Sequence, residues 1–133
     1  MEKFLLSAFL KISGIGAASG IVNVNDSLYI ISDSSGFLYQ YILESHQLVK
    51  HPLQENASEN NIKSQKSDFE SISLKENELH IFGSGSTSNR NKNVVFNIEN
   101  HQIQEKNLSE LYENIKKTAS ISNNDLNIEG SFF

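Results

Sequence analysis

Apolar and polar positions alternate over short runs along most of the chain. Each run stops at a cluster of Asn, Ser, Gly or Asp. A period of two predicts strands, and those clusters predict the turns between them. Phe4 to Ile12 reads as a strand, with Gly14 and Gly16 giving a flexible exit. Ser19 to Val24 reads as a second strand. Asn25-Asp26 then makes a turn, because both side chains can bond nearby backbone and both tolerate left-handed φ. Leu28 to Ile31 is apolar enough to be buried on both faces. Phe37 to Ile42 and Gln47 to Lys50 are the next two strands, joined by a turn at Glu44-Ser45-His46. Pro52 has no N–H for a ladder and suits an edge or a strand end.

Gln54 to Ser67 is polar except for Ala57 and Ile62, which predicts a long surface loop. The alternation then returns in Glu70–Leu74, Leu79–Phe82, Val94–Ile98 and Gln102–Gln104. A Gly/Ser loop, Gly83 to Arg90, separates the second of these from the third. One helix is predicted near 108–117. Asn107 can cap it, with Glu110 three residues on as in a capping box. Leu108, Leu111, Tyr112 and Ile115 fall on one face at helical spacing. Lys116 and Lys117 suit the negative C-terminal end.

The pattern repeats within the chain. Asn25 to Asp33 lies over Glu76 to Ser84, 51 positions later, and the same offset places Ile21 on Ile72. Four strands in a repeat of about 40–50 residues are the signature of a propeller blade. The expected fold is all-β: a single incomplete β-propeller domain over 1–133. It has about two four-stranded antiparallel blades, about 17–53 and about 68–107, and one short helix. Asn127-Ile128-Glu129-Gly130 is similar to Asp68-Phe69-Glu70-Ser71, so about 125–133 reads as the first strand of a third blade. Closed propellers need about four to eight blades. Two blades leave apolar faces unpaired and invite self-association. Either the chain is a fragment of a longer protein or several copies assemble into a ring.

Composition narrows the function classes. At 133 residues the chain is one domain at most. With 11 Lys+Arg against 16 Asp+Glu, it lacks the basic face that nucleic acid requires. The absence of cysteine excludes disulfides and thiolate chemistry and fits a soluble protein of a reducing cytoplasm. Export is the alternative if residues 1–18 act as a signal: Lys3, the run Phe4 to Leu10 and Gly16-Ala17-Ala18 loosely imitate one, although Glu2 and Lys11 weaken it. No apolar run reaches the length of a membrane span. The sequons at Asn56 and Asn107 read as chance matches.

Five pieces, in order along the chain, carry a family resemblance. They are Ala18-Ser19-Gly20-Ile21, Leu28-Tyr29-Ile30-Ile31-Ser32-Asp33, Lys66-Ser67-Asp68-Phe69-Glu70, Gly83-Ser84-Gly85-Ser86-Thr87-Ser88-Asn89-Arg90 and Leu126-Asn127-Ile128-Glu129-Gly130. With these the sequence resembles an uncharacterised family of bacterial six-bladed β-propellers, similar to phytase-like and esterase-like propellers. The Gly-Ser-Gly-Ser…Asn-Arg piece is the most specific of them. The resemblance implies a chain about twice this length. It implies Ca²⁺-dependent phosphatase chemistry only where the acidic ligands match, and no such residue-by-residue match is found.

The residues offer two candidate sites. Gly83, Ser84, Gly85, Ser86 and Arg90 could cradle an anion, with backbone N–H groups, hydroxyls and a bidentate charge as donors. The competing reading is a wide turn with Arg90 paired to Asp68 or Glu70. Asp68, Glu70 and Glu129 fall at the starts of innermost strands. With Asp33 they could hold a hard cation such as Ca²⁺, which takes six to eight oxygens. The competing reading is channel carboxylates paired with Lys66 and Arg90. His46, His51, His80 and His101 show no metal-ligand spacing, and no nucleophile elbow is present. Phe37, Tyr39 and Tyr41 share a face and read as core. The expected function is a scaffold or binding module for a small ligand or protein. A metal-dependent phytase-like or esterase-like hydrolase is the alternative, and the sequence does not decide whether the protein is an enzyme.

Overall fold

The computed structural model describes residues 9–122 and 124–133. Sheet 1 is formed by β1 (Ala18–Val24), β2 (Ser27–Ser32), β3 (Phe37–Ile42) and β4 (Gln47–Pro52). Sheet 2 is formed by β5 (Phe69–Lys75), β6 (Glu78–Gly83), β7 (Lys92–Asn97) and β8 (Ile103–Asn107). Each is a four-stranded antiparallel meander, and neither closes on itself. One helix, α1 (Ser109–Ala119), follows. This is an all-β fold consistent with a partial propeller. Among the described residues no helix is long and apolar enough to cross a membrane.

The two sheets share local backbone features at a constant offset. The β1–β2 ladder slips between Ala18 and Gly20, and the β5–β6 ladder slips between Phe69 and Ser71. Ala17 and Asp68 have positive φ, 47° and 53°, just before these bulges. Asn25 (51°) and Glu76 (53°) hold the same conformation in the following tight turns. These pairs all lie 51 positions apart, the offset at which the sequence repeats.

The core lies between the sheets. Tyr29, Ile31 and Leu38 of sheet 1 cluster with Leu79, Ile81, Val94 and Phe96 of sheet 2, and Leu53 and Phe69 join them. Val22, Val24, Ile72 and Leu74 pack around this cluster. The contact uses opposite faces of the two units. At the repeat offset Tyr29 and Ile31 correspond to His80 and Phe82, yet sheet 2 meets sheet 1 through Leu79 and Ile81.

Three expectations need correction. Residues 9–12 form no strand, and residues 4–8 of that expected strand lie outside the described ones. Lys11 breaks the apolar run, and Leu10, Ile12 and Ile15 instead line a groove with Ile21 and Ile30. Residues 124–133 form no strand either. Ladder bonds need a partner strand, whereas this segment is held by a few separate contacts. Ile128 N–H donates to the Ser84 carbonyl at 2.9 Å, and the Ser131 hydroxyl lies 2.6 Å from that of Ser71.

The helix begins one residue later than expected. Leu108 is its N-cap, and Asn107 Oδ1 accepts from Ser109 N–H at 2.8 Å. Leu111 is 51% exposed, while Tyr112 and Lys116 are buried. The rotation follows from where Tyr112 docks. Its ring covers Gly85, and its hydroxyl donates to the Gly83 carbonyl at 3.1 Å.

The polar segment 54–67 is tied down at the loop between β2 and β3. Gly36 N–H donates to the Ser58 carbonyl and Asn61 N–H to the Ser34 carbonyl, both at 2.9 Å. That anchoring brings Lys66 to Asp33.

Candidate functional site

Three connections and one strand converge on one cluster. Asp33 follows the last residue of β2, Lys66 ends the long loop, and Asp68 precedes β5 with its backbone in the left-handed region. Glu70 lies in β5. Arg90 lies in a 3₁₀ turn, Ser88–Arg90, at the end of the Gly/Ser loop. Carboxylate oxygens of Asp33, Asp68 and Glu70 all lie within 4.8 Å of one another. Glu129 is exposed and accepts from Asn127 Nδ2 at 2.7 Å; it stands outside that trio.

Two cations hold Asp33 and Asp68 of the trio. Lys66 Nζ is 2.6 Å from Asp68 Oδ1 and 3.1 Å from Asp33 Oδ2. Arg90 Nη1 donates to Asp68 Oδ2 at 2.9 Å, and Ser84 Oγ donates to the same oxygen at 2.6 Å. Burial pushes the Asp68 pKa up, but hydrogen bonds from Lys66 and Ser84 and the Arg90 charge outweigh it, so the carboxyl stays below its ordinary value. The hydrogen bond to Asp68 raises Lys66 in turn. Glu70 differs. Burial first, then the negative charges of Asp68, Asp33 and Glu129, push its pKa up to about 6 against the pull of Lys66. Among the described residues, Asp33 Oδ1 and Arg90 Nε are buried without a hydrogen-bond partner.

In the Gly/Ser loop, donors are turned inward. Ser84 N–H goes to the Asp68 carbonyl at 2.9 Å and Gly85 N–H to the Arg90 carbonyl at 3.2 Å. Arg90 Nη1 also reaches Ser86 Oγ at 2.6 Å, and Nη2 reaches the Lys63 carbonyl at 3.3 Å. The glycines answer to packing. A Cβ on Gly83 would stand 2.3 Å from the Arg90 carbonyl oxygen. Gly85 has φ +78°, and its Cβ would meet the Tyr112 ring at 2.6 Å. Of the five residues expected to form an anion cradle, Arg90, Ser84 and Ser86 are brought together around Asp68.

A bound Ca²⁺ fits these residues poorly. The trio carries six carboxylate oxygens, and three of them already accept from Lys66, Arg90 or Ser84. A divalent ion needs six to eight oxygens and would have to displace the Lys66 ammonium, which stands between Asp33 and Asp68 as a resident cation.

Sequence reasoning paired Arg90 and Lys66 with the carboxylates but missed the Ser84 bond to Asp68 and the Tyr112 lid over Gly85. The first joins residues of one sheet's connections: Asp68 directly precedes β5, and Ser84 directly follows its ladder partner β6. The second joins residues from separate elements and leaves no local signal.

No curated protein matches the chain. Residues 14–133 match the model of a family of unknown function, DUF6929. That match begins just before β1 and takes in both sheets, the helix and every member of the carboxylate cluster; the chain belongs to the DUF6929 family.

Proposed function

We propose that the protein is a binding module of propeller-like fold, and that its ligand or partner is read at Glu70 within the Asp33–Asp68–Lys66–Arg90 frame. The observation that carries this is the contrast between Glu70 and its neighbours. Asp68 is fully engaged, whereas Glu70 is half-buried, takes no hydrogen bond from another described side chain and has a pKa near 6. A frame that pairs both oxygens of Asp68 but leaves Glu70 and Asp33 Oδ1 without donors suits a ligand that donates hydrogen bonds or carries an amine or guanidinium. The repeat offset and the opposite-face contact between the sheets support the propeller part of this reading. A cytoplasmic setting rests on the absence of cysteine.

Thermal unfolding with and without agmatine and spermidine tests the proposal. Either probe should raise the melting temperature of the wild type and leave Glu70→Gln unmoved. Equal shifts in both proteins, or no shift in either, would overturn it.

The second reading is a phytase-like or esterase-like hydrolase, favoured by the closeness of the three carboxylates. It requires a Ca²⁺-dependent rise in melting temperature together with turnover of p-nitrophenyl phosphate or acetate. A flat response to saturating CaCl₂ without turnover would sink it.

A further inference from the structure

Each sheet carries an aromatic residue and, five positions later, a histidine with left-handed backbone. In sheet 1 these are Tyr41 and His46 (φ 57°), and in sheet 2 they are Phe96 and His101 (φ 59°). The Tyr41 hydroxyl is bonded to His46 Nδ1 at 2.9 Å. Phe96 has no hydroxyl. The His101 ring stacks on it at 5.6 Å and 18°, and lies 4.8 Å from the ring of His51.

His51 belongs to β4 and packs against Phe96 with ring centroids 5.0 Å apart. It pairs with Leu38, on the face of sheet 1 that meets sheet 2. The hydrogen bonds settle its tautomer. Gln40 Nε2 donates to Ser27 Oγ, so Gln40 Oε1 accepts, and His51 Nε2 at 2.9 Å carries the proton. A second proton must go on Nδ1. That makes a cation between an apolar ring and another histidine.

We propose that His51 and His101 form a proton-operated joint between the two sheets, closed while the His51 ring is neutral and loosened when that ring takes up a second proton. Among the described residues, no carboxylate offsets a charge on the His51 ring. Lys50 on β4 is paired with Glu59 at 2.5 Å. β3 presents Gln40 and β7 presents Phe96, both uncharged. In the turn after β7, Glu99 accepts from Asn77 Nδ2 at 2.7 Å. The charge that acts on His51 is that of His101. Burial and then this like charge lower the His51 pKa. A histidine depressed in the folded state stabilises the fold above its unfolded value of about 6.5, and that contribution is lost as pH falls through the folded value.

The test compares urea unfolding of the full chain at pH 7.5 and pH 5.0 with that of His101→Asn. Asn tolerates the left-handed backbone at 101. Glu70 and the other carboxylates titrate in both proteins, so the difference between them isolates the pair. On acidification the unfolding constant of the wild type should rise at least about five-fold more than that of the variant. By NMR, the His51 ring should titrate below about 6.5 in the wild type and higher in the variant. Equal pH dependence in the two proteins, or a His51 ring that titrates at its ordinary value, would overturn the proposal. The ring titration needs only the folded wild type, so a His51 ring that titrates at its ordinary value overturns the proposal even if the variant fails to fold.

Discussion

Glu70 and Asp68 stand two residues apart and respond to acid in opposite senses. Asp68 is held below its ordinary value, so its contribution to stability is present above about pH 3.8 and is lost as pH falls. Glu70 is raised from 4.5 to about 6, so the folded chain prefers it protonated. Its contribution is fully present below about 4.5 and is lost as pH rises through about 6. Glu70→Gln should therefore stabilise the protein at pH 7 by about 1 kcal/mol, after allowing for solvent screening. It should also flatten the stability profile between pH 4.5 and 6. Urea unfolding across that range checks both. The sequence named both carboxylates, because each sits at or beside the start of β5. It could not separate their states, because these depend on Lys66 and Arg90 arriving from loops 2 and 22 residues away from Asp68.

At the scale of elements, the Gly/Ser loop is a packing solution. Gly83 lets the chain pass against the Arg90 carbonyl, and Gly85 makes room for Tyr112. Gly83→Ala should destabilise the fold by about 3 kcal/mol, because the obstacle is backbone and cannot swing aside. The shift in the urea midpoint measures it. Strands were the legible elements: period-two alternation and Asn-rich turns located β1 through β8 within a few residues. The helix was legible as an element, but its buried face was not. Leu111 fits the apolar stripe yet faces solvent, because the side chain that docks, Tyr112, is chosen by the gap over Gly85. Residues 9–12 and 124–133 have strand-like composition but make no ladder with a neighbouring strand, and composition carries no information about pairing.

At the scale of the molecule, the two sheets share one core and should unfold together. Ile81 is fully buried in it. Ile81→Ala should cost about 3–4 kcal/mol. It should also lower the hydrogen-exchange protection of β2 in sheet 1 as much as that of β5 in sheet 2. Loss confined to sheet 2 would show that the sheets are separate folding units. The strand pattern in the sequence foretold two four-stranded antiparallel sheets, and two form. Which faces would meet was not legible, since Leu28–Ile31 is apolar on both sides and Leu79–Phe82 carries Phe82 on the same side as His80.

The left-handed backbone at Asp68 restricts how relatives can vary at this position. Gly, Asn and Asp bear that conformation with the least strain, although Ala17, Glu76 and Ser120 hold it elsewhere in this chain. Lysine or arginine would meet that restriction as well as the two cations already present. Within the DUF6929 family, then, the carboxylate at this position can be neutralised by a single conservative exchange, but its sign cannot readily be reversed. Family members should differ here in whether they hold Lys66 and Arg90 in place, rather than in the polarity of what they attract.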